Sequence, residues 1–203
     1  MITVVDYGMG NLGSVLNMLR RVGVDAEVTG DPVRIATAER IILPGVGAFD
    51  AAIERIDASG LRAVLDHKAM EERVPVLGIC LGMQLLTRRS DEGTRAGLGW
   101  IPAETSRFPS GSGLKVPHMG WNVTESTRKS PLTSGLDGEV RFYFVHSFCV
   151  QTDDPEDTVL RSRYGIDFAA AVHRGNIMGA QFHPEKSHRF GMRLLKNFAE
   201  FTC

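Results

Sequence analysis

The alternation of short apolar strands with helices in the first half of the chain limits its fold more than any other feature. Ile2-Thr3-Val4-Val5 is β-branched and apolar, which is typical of a buried strand. Apolar residues then recur at helical spacing from Leu12 to Val22, before Gly23, a residue that favours the end of a helix. Such alternation predicts βαβ units around a mostly parallel sheet flanked by helices. Further elements are predicted in the same order: strands at 25–28, 40–43 and 74–79, and helices at 48–70, broken near Ser59-Gly60, and 81–87.

The second half of the chain has a different pattern, in which glycines, prolines and short strand-like runs dominate from Gly97 to Gly175. The strongest strand pattern there is Val140–Val145, and residues 188–201 form an amphipathic helical pattern. A hairpin is predicted from two apolar runs, Ala169–Val172 and Ile177–Phe182, which are joined by the polar turn Arg174–Asn176. We therefore predict one α/β domain over residues 1–203, with an antiparallel region added in its second half.

Composition and charge exclude several classes of protein. The 203 residues are 43% hydrophobic with a net charge of −1, so no global field would recruit nucleic acid or an anionic membrane. No apolar run approaches the ~20 residues of a spanning helix, and the N-terminus lacks a signal-peptide pattern, so we expect a cytoplasmic protein. The three cysteines are odd in number and far apart, which argues against a disulfide framework or a CxxC metal site: Cys80, Cys149 and Cys203.

The segment Gly78-Ile79-Cys80-Leu81-Gly82 lies where a predicted strand ends and a helix begins. Its G-x-C-x-G form is the thiol counterpart of the hydrolase nucleophile elbow. Residues two before and two after the nucleophile crowd such a turn and need to lack a Cβ. The free N–H groups at a helix N-terminus favour thiolate, the attacking form, and the Leu81 N–H would face a developing oxyanion. The alternative is a close-packed turn with a buried, inert thiol, which is also our prediction for Cys149.

A base for this nucleophile is predicted among six histidines. His67, His173 and His188 lie in polar or charged surroundings and are predicted to be at the surface. His183 ends a strand-like run and precedes Pro184-Glu185, and proline favours an extended conformation in the residue before it. In an extended chain, residues i and i+2 share a face, so Glu185 can hold one nitrogen of the imidazole. The sequence therefore predicts a Cys–His–Glu arrangement of Cys80, His183 and Glu185.

The motif from Gly78 to Gln84, together with His183-Pro184-Glu185, resembles the class I (triad-type) glutamine amidotransferases. The resemblance implies a flavodoxin-like α/β fold in which Cys80 attacks the side-chain amide of glutamine. It requires neither a metal nor an organic cofactor, and no phosphate loop of P-loop form occurs in the sequence. A solvated position in the first helical turn remains the alternative for Gln84. The resemblance also implies that the backbone N–H groups of Val46 and Leu81 stabilise the oxyanion. It further implies substrate contacts at Gly47, Gln84, Ser147 and Phe148.

The resemblance narrows to one branch of this family, the glutaminase subunits of imidazole glycerol phosphate synthase in histidine biosynthesis. Three segments carry it: Val5–Ser14, Val116–Asn122 and Tyr143–Phe148. It implies a heterodimer with a (β/α)₈ cyclase subunit that consumes the ammonia, and Trp121 as an exposed interface anchor unless that residue belongs to the core. The implied contacts with the partner are Gly10, Asn11, Pro117, His118, Met119, Trp121, Asn122 and Lys186.

Two other interpretations remain at this point. The same turn occurs in cysteine hydrolases of the wider superfamily, which cleave other bonds without a partner, although Gln84 and the spacing of His183 and Glu185 favour glutamine. A regulatory or scaffold subunit without catalysis would leave Cys80 structural, and the intact Cys–His–Glu set argues against this.

Overall fold

The fold begins with the predicted alternation of strands and helices. A computed structural model of the protein describes residues 1–109 and 114–202, so Cys203 lies outside the described residues. The first half comprises β1 (Ile2–Val5), α1 (Leu12–Arg21), β2 (Ala26–Thr29), α2 (Pro32–Ile35), β3 (Ile41–Gly45), α3 (Phe49–Ala58), α4 (Leu61–Asp66), β4 (Val76–Cys80) and α5 (Leu81–Leu85). The second half comprises β5 (Ala103–Arg107), β6 (His118–Ser126), β7 (Val140–His146), β8 (Phe148–Thr152), β9 (Thr158–Tyr164), β10 (Ile166–Arg174), β11 (Ile177–Ala180) and α6 (His188–Glu200).

The described strands form one mixed sheet, with the order β2-β1-β3-β4-β11-β10-β9-β6-β7 and with β8 and β5 attached beside β10. Strands β2, β1, β3, β4 and β11 run parallel, whereas the pairings from β10 onward are antiparallel. The predicted α/β class with an added antiparallel region is therefore confirmed. The predicted hairpin is also confirmed: β10 and β11 pair antiparallel, with Arg174 opposite Ile177 across the turn.

Helices pack on both faces of the sheet, and each face has its own apolar cluster. Residues of α3, α4 and α5, such as Ile53, Leu65 and Leu85, belong to one cluster. Residues of α1 and α6, such as Leu19 and Leu195, belong to the other, which also includes Cys149 as predicted. Burial of these side chains, at about 1.5–3 kcal/mol for each large apolar group, is the main contribution that holds the layers together. Among the described residues, no helix has the length and apolarity to cross a membrane.

The local differences from the predicted elements have simple causes. The helical region after β3 is broken where expected, because Gly60 adopts φ +72° between α3 and α4. The short helix α2 was not predicted, since four residues give no periodicity; it begins at Pro32, and the Asp31 side chain caps it by accepting from the Val33 N–H. Strand β3 extends through Pro44 to Gly45, because it pairs with β4 as far as Cys80.

Candidate active site

Cys80 occupies a strained turn between β4 and α5. Its backbone has φ 55° and ψ −110°, a conformation that side chains rarely adopt and that costs roughly 1–3 kcal/mol. The flanking glycines have the predicted steric reason. A Cβ on Gly78 would lie 2.6 Å from the Gly82 carbonyl oxygen, and a Cβ on Gly82 would lie 1.8 Å from the Leu43 carbonyl oxygen. The backbone of the turn therefore packs closely on itself and on β3. The turn can form only if neither position 78 nor position 82 carries a side chain.

This close packing predicts a large difference between two glycine-to-alanine variants. Gly82→Ala should lower the free energy of unfolding by about 3 kcal/mol, because backbone atoms of β3 cannot move away cheaply. Gly13→Ala is the matched control, since a Cβ at this exposed position in α1 meets nothing within 4 Å. It should be neutral or stabilising by up to about 1 kcal/mol. Urea unfolding of both variants tests this, and equal midpoints would contradict the packing argument.

The sheet topology explains why residues far apart in sequence meet at Cys80. Strand β4 lies between β3 and β11, with Gly45 opposite Cys80 on one side and Ala180 opposite Ile79 on the other. The carboxyl ends of all three parallel strands therefore lie at one edge of the sheet. His183 follows β11 by three residues and reaches the same edge, which is the region where ligands bind in open α/β sheets.

His183 lies between Cys80 and Glu185. The His183 Nδ1 atom lies 2.8 Å from Glu185 Oε1, and the Cys80 side chain is near enough to affect the pKa of the imidazole. The side chains of His183 and Glu185 are only 5% and 1% exposed, so water does not weaken their interaction. The other carboxylate oxygen of Glu185 has no hydrogen-bond partner among the residues that the structure describes. His183 is therefore the main interaction partner of the Glu185 carboxylate.

The predicted route to this contact was wrong in one respect. His183 is extended, with φ −97° and ψ 96°, but Pro184–Lys186 forms a 3₁₀ turn. The turn, rather than an extended strand, brings Glu185 back to His183. Ser187 stabilises this turn: its hydroxyl donates to the His183 carbonyl at 2.7 Å and accepts from the Tyr143 N–H at 3.0 Å. The sequence analysis missed Ser187, because a serine before a helix is commonly only a cap.

The pKa of His183 is set by opposing effects. Burial alone would lower it, but the hydrogen bonds and charges of Cys80 and Glu185 outweigh burial and raise the pKa to about 9. An imidazole with this pKa carries a proton at neutral pH. His183 can therefore give a proton to a group that reacts at the Cys80 sulfur.

Two of the three residues border a cleft of about 340 Å³, a size within the range of small-molecule sites. His183 and Cys80 line it, whereas Glu185 lies behind His183. Three lining residues, Glu92, Val145 and His146, were not predicted. The other predicted residues in its wall are Val46, Gly47, Leu81, Gln84, Pro117, Ser147, Phe148 and Lys186. No group of three or more His, Cys, Asp or Glu side chains in the described part of the chain could hold a metal ion.

Comparison with known proteins agrees with this geometry. The family model described as "Glutamine amidotransferase class-I" matches residues 3–201. The chain belongs to the class I glutamine amidotransferase family. A relative from Pseudomonas aeruginosa, named imidazole glycerol phosphate synthase subunit HisH 2, is 52% identical over the full length of both chains. A relative of the same name from Methanococcus maripaludis is 48% identical over 98% of both chains. These relatives place the chain in the HisH branch and confirm the narrower resemblance.

Solved structures support the fold independently of sequence. One described as a glutamine amidotransferase covers 98% of both chains with a TM-score of 0.77 at 20% identity. Another, of PurLQS from Thermotoga maritima, covers 97% of this chain and 96% of the other, with a TM-score of 0.72 at 21% identity. At such low identity the likeness shows the class I glutamine amidotransferase fold alone.

Gln84 is buried in this amidotransferase, so the alternative of a solvated helix residue is wrong. Its Nε2 donates to the Phe148 carbonyl at 3.3 Å and to Gln181 Oε1 at 3.2 Å. Helix α5 is thereby tied to the start of β8. Sequence periodicity did not find this, because a five-residue helix has no distinguishable polar face.

Tyr7 is a further residue of the site that the sequence analysis did not single out. Its hydroxyl donates to the Pro44 carbonyl at 2.7 Å and lies beneath Gly45, where a Cβ would approach it to 2.5 Å. Burial, and then the charge of Cys80, raise the pKa of Tyr7 above its usual range. Tyr7 thus anchors the β3 loop that borders the cleft at Val46 and Gly47. The feature of the sequence that could have indicated Tyr7 was its position just after the predicted strand Ile2–Val5.

The residues predicted to contact a partner differ in exposure. Met119 and Trp121 are 62% and 48% exposed, so Trp121 is not part of the core. Pro117 and Lys186 are exposed at the cleft, whereas Gly10, Asn11 and Asn122 are half-buried. His118 is buried and lies inside the protein, not on the surface where the partner is expected.

The remaining histidines lie outside the cleft lining. His67 and His188 are exposed as predicted. His173 is buried, contrary to the prediction, with Nδ1 2.8 Å from the Ser130 hydroxyl and Nε2 2.8 Å from the Gly175 carbonyl oxygen. The turn that follows His173 is polar in sequence, yet it packs against the rest of the protein. The His173 imidazole is buried there because it has hydrogen-bond partners within the protein.

Proposed function

We propose that this protein is the glutaminase subunit of an imidazole glycerol phosphate synthase. It hydrolyses glutamine to glutamate and ammonia and delivers the ammonia to a cyclase subunit in histidine biosynthesis. The observation that carries the proposal is the arrangement of Cys80, His183 and Glu185 at one edge of a cleft. The high identity with HisH relatives supports the choice of branch.

The proposed reaction proceeds through a thioester. The Cys80 thiolate attacks the side-chain amide carbon of glutamine, and a C–S bond forms as the carbonyl oxygen becomes an oxyanion. Collapse of this intermediate breaks the C–N bond, and the His183 imidazolium gives its proton to the departing ammonia. The now neutral imidazole takes a proton from water as the water attacks the thioester, and glutamate leaves with release of the sulfur. Glu185 holds the imidazole in the tautomer and orientation that both steps require.

Backbone N–H groups of Val46 and Leu81 are the proposed oxyanion donors. Both residues line the cleft beside Cys80, one on the β3 loop and one at the start of α5. A donor of this kind contributes about 3–4 kcal/mol to stabilising an acyl-transfer transition state. Gly47 supports the loop conformation with φ +101°, where a Cβ would approach Met9 Cε to 2.7 Å.

The rest of the cleft is proposed to take the glutamine substrate. Gly47, Gln84, Ser147 and Phe148 line it together with Cys80. The Cys80 sulfur lies 3.7 Å from the Val145 carbonyl oxygen, two residues before Ser147. With the amide end of glutamine at the sulfur, the amino-acid end therefore extends toward the Ser147–Phe148 segment.

The partner is proposed to dock at the mouth of this cleft. Met119 and Trp121 present exposed apolar side chains on β6, next to Pro117 and Lys186 at the cleft rim. Exposed aromatic and methionine side chains are typical of interface anchors. Docking there would place a (β/α)₈ cyclase against the site at which ammonia is released.

The coupling can be tested by measuring glutamate release with and without a purified (β/α)₈ cyclase and its phosphorylated ribonucleotide ligand. We expect the rate to rise about tenfold or more, within the range of allosteric coupling energies. Trp121→Ala should increase the cyclase concentration needed for half-maximal activation. Met70→Ala, which removes an exposed apolar side chain elsewhere, should not. Equal rates with and without the cyclase would refute the coupled-subunit function.

A further inference from the structure

Two buried histidines connect the strand predicted to face the partner with the wall of the cleft. His118 on β6 lies opposite His146 on β7, and His118 Nδ1 is 2.9 Å from His146 Nε2. His146 Nδ1 is 2.7 Å from the Phe148 carbonyl oxygen, and Asn122 Nδ2 is 3.2 Å from His118 Nε2. These contacts form a continuous chain from the half-buried Asn122 to Phe148.

Only one arrangement of protons satisfies this chain when both imidazoles are neutral. A carbonyl oxygen only accepts, so His146 Nδ1 carries the proton and its Nε2 is an acceptor. His118 must then donate from Nδ1 and accept at Nε2 from the Asn122 amide. The amide orientation is consistent, because Asn122 Nδ2 also donates to the Arg163 carbonyl and Asn122 Oδ1 accepts from the Val123 N–H. Every donor in the chain thus points toward Phe148.

Both imidazoles are held neutral and rigid by their surroundings. Burial lowers the pKa of His118 to about 4. Burial likewise lowers the pKa of His146 to about 3, despite its bond to the Phe148 carbonyl. The His118 ring stacks between Phe144 and Tyr164, with centroids 4.9 and 4.2 Å away. Rings packed in this way have few alternative rotamers, so their hydrogen bonds are preorganised.

The chain ends at a corner of the backbone. Ser147 lies between β7 and β8, where the polypeptide leaves one strand partner for another. The Ser147 carbonyl accepts from the Phe108 N–H at 3.2 Å, while the Phe148 carbonyl accepts from both His146 and Gln84. Both carbonyls are therefore turned into the protein, which determines the direction of the adjoining peptide groups along the cleft.

We propose that His118 and His146 are positioning residues that hold the Ser147–Phe148 corner in the conformation that binds the amino-acid end of glutamine. This inference rests on the proposed glutaminase function. Neither histidine acts on the reacting amide, so their loss should weaken glutamine binding without altering the reactivity of Cys80. The chain also gives β6, and hence a docked partner, a direct physical connection to the substrate-binding wall.

The test compares two conservative variants of His146. His146→Asn places an amide nitrogen near the original Nδ1 and keeps the donor to Phe148. His146→Gln places its amide near the original Nε2, so it keeps the contact with His118 but loses Phe148. Both are polar and similar in size, so they separate the hydrogen bond from general loss of packing. His118→Phe keeps the stacked ring and removes the donor to His146. His173→Phe is the control, since it removes another buried imidazole bonded to a carbonyl, away from the cleft lining.

Each variant is assayed for kcat and KM with glutamine and for labelling of Cys80 by two reagents. One is 6-diazo-5-oxo-L-norleucine, which carries the amino-acid end of glutamine, and the other is iodoacetamide, which does not. We expect His146→Gln to raise KM about tenfold and to slow labelling by the norleucine reagent to a similar extent. Iodoacetamide labelling should be unchanged. His118→Phe should shift KM in the same direction but less, and His146→Asn, which keeps the donor to Phe148 but loses the contact with His118, should shift KM no more than His118→Phe does. His173→Phe should resemble the wild-type protein.

The possible failures are distinguishable. An unchanged KM in His146→Gln, or equal slowing of both reagents, would overturn the positioning role of His146. An unchanged KM in His118→Phe would overturn the part assigned to His118. Failure of the glutaminase function itself would appear in the wild-type protein, as absence of glutamate release and of labelling by the norleucine reagent.

Discussion

Cys80→Ala is expected to abolish glutamine hydrolysis, with kcat reduced by about 10⁴-fold or more, as for nucleophiles that act with a base as one unit. Alanine has no group that can form the thioester, so the covalent route is lost. Stability should change little, because alanine keeps a Cβ and therefore the same strain at φ 55°. Glutamate release, with urea unfolding in parallel, separates loss of chemistry from loss of fold.

Cys149→Ala is the matched control for this variant. Cys149 is also a buried thiol, but it lies in the apolar core, where burial raises its pKa to about 11. The Cys149→Ala variant should keep glutaminase activity. In the wild-type protein, iodoacetamide should label Cys80 but not Cys149. The Cys80→Ala protein should still bind the cyclase. Full glutamine turnover by Cys80→Ala would refute the nucleophile assignment.

His183→Gln should give the second largest loss, about 10³-fold or more in kcat, because one residue serves as acid and as base. Glutamine can neither protonate the departing ammonia nor activate water. Iodoacetamide labelling of Cys80 at neutral pH should also slow, since the sulfur loses the imidazole that takes up its proton. His67→Gln, at an exposed histidine paired with glutamates outside the cleft, is the control that should retain activity.

The pH profile tests the same residue without mutation. Because the pKa of His183 is raised to about 9, the imidazolium persists through neutral pH and is lost as pH rises past that value. The proton required by the departing ammonia is then missing. We expect kcat/KM for glutamine to fall on the alkaline side with this group. A profile whose alkaline limb falls instead near pH 6.5, the usual histidine pKa, would contradict the raised pKa of His183.

Much of the fold could be predicted from local sequence patterns. Strand β1 follows directly from its β-branched apolar run, which is buried throughout, and helix α6 follows from its amphipathic periodicity, because in each case the element's own residues define its apolar surface. Neither the position of β11 between β4 and β10 nor the pairing of β5 with β8 could be read in this way. Strand order depends on contacts between residues far apart in the chain, and local spacing carries no record of them.

The site shows the same division. Cys80, His183 and Glu185 were predicted because short motifs constrain their chemistry and their local backbone. Tyr7 and Ser187 were missed, since each acts through a backbone group of a distant segment, Pro44 and Tyr143. His146 was missed because its place in the chain of hydrogen bonds depends on His118, which comes from a different strand. The burial of His173 and Gln84 was misjudged for the same reason, because exposure depends on which segments pack against a residue.

The sequence by itself predicted that Cys80 stands on a tight strand-to-helix turn, because a strand pattern ends there, a helix pattern begins, and glycines at positions 78 and 82 permit a turn in which any side chain would clash. It also determined that a histidine and a glutamate lie two residues apart near the chain end. Only the tertiary structure decided that these residues meet, through the parallel pairing of β4 with β11. It likewise decided that His118 and His146 connect β6 to the cleft, since that contact requires two antiparallel strands in one register.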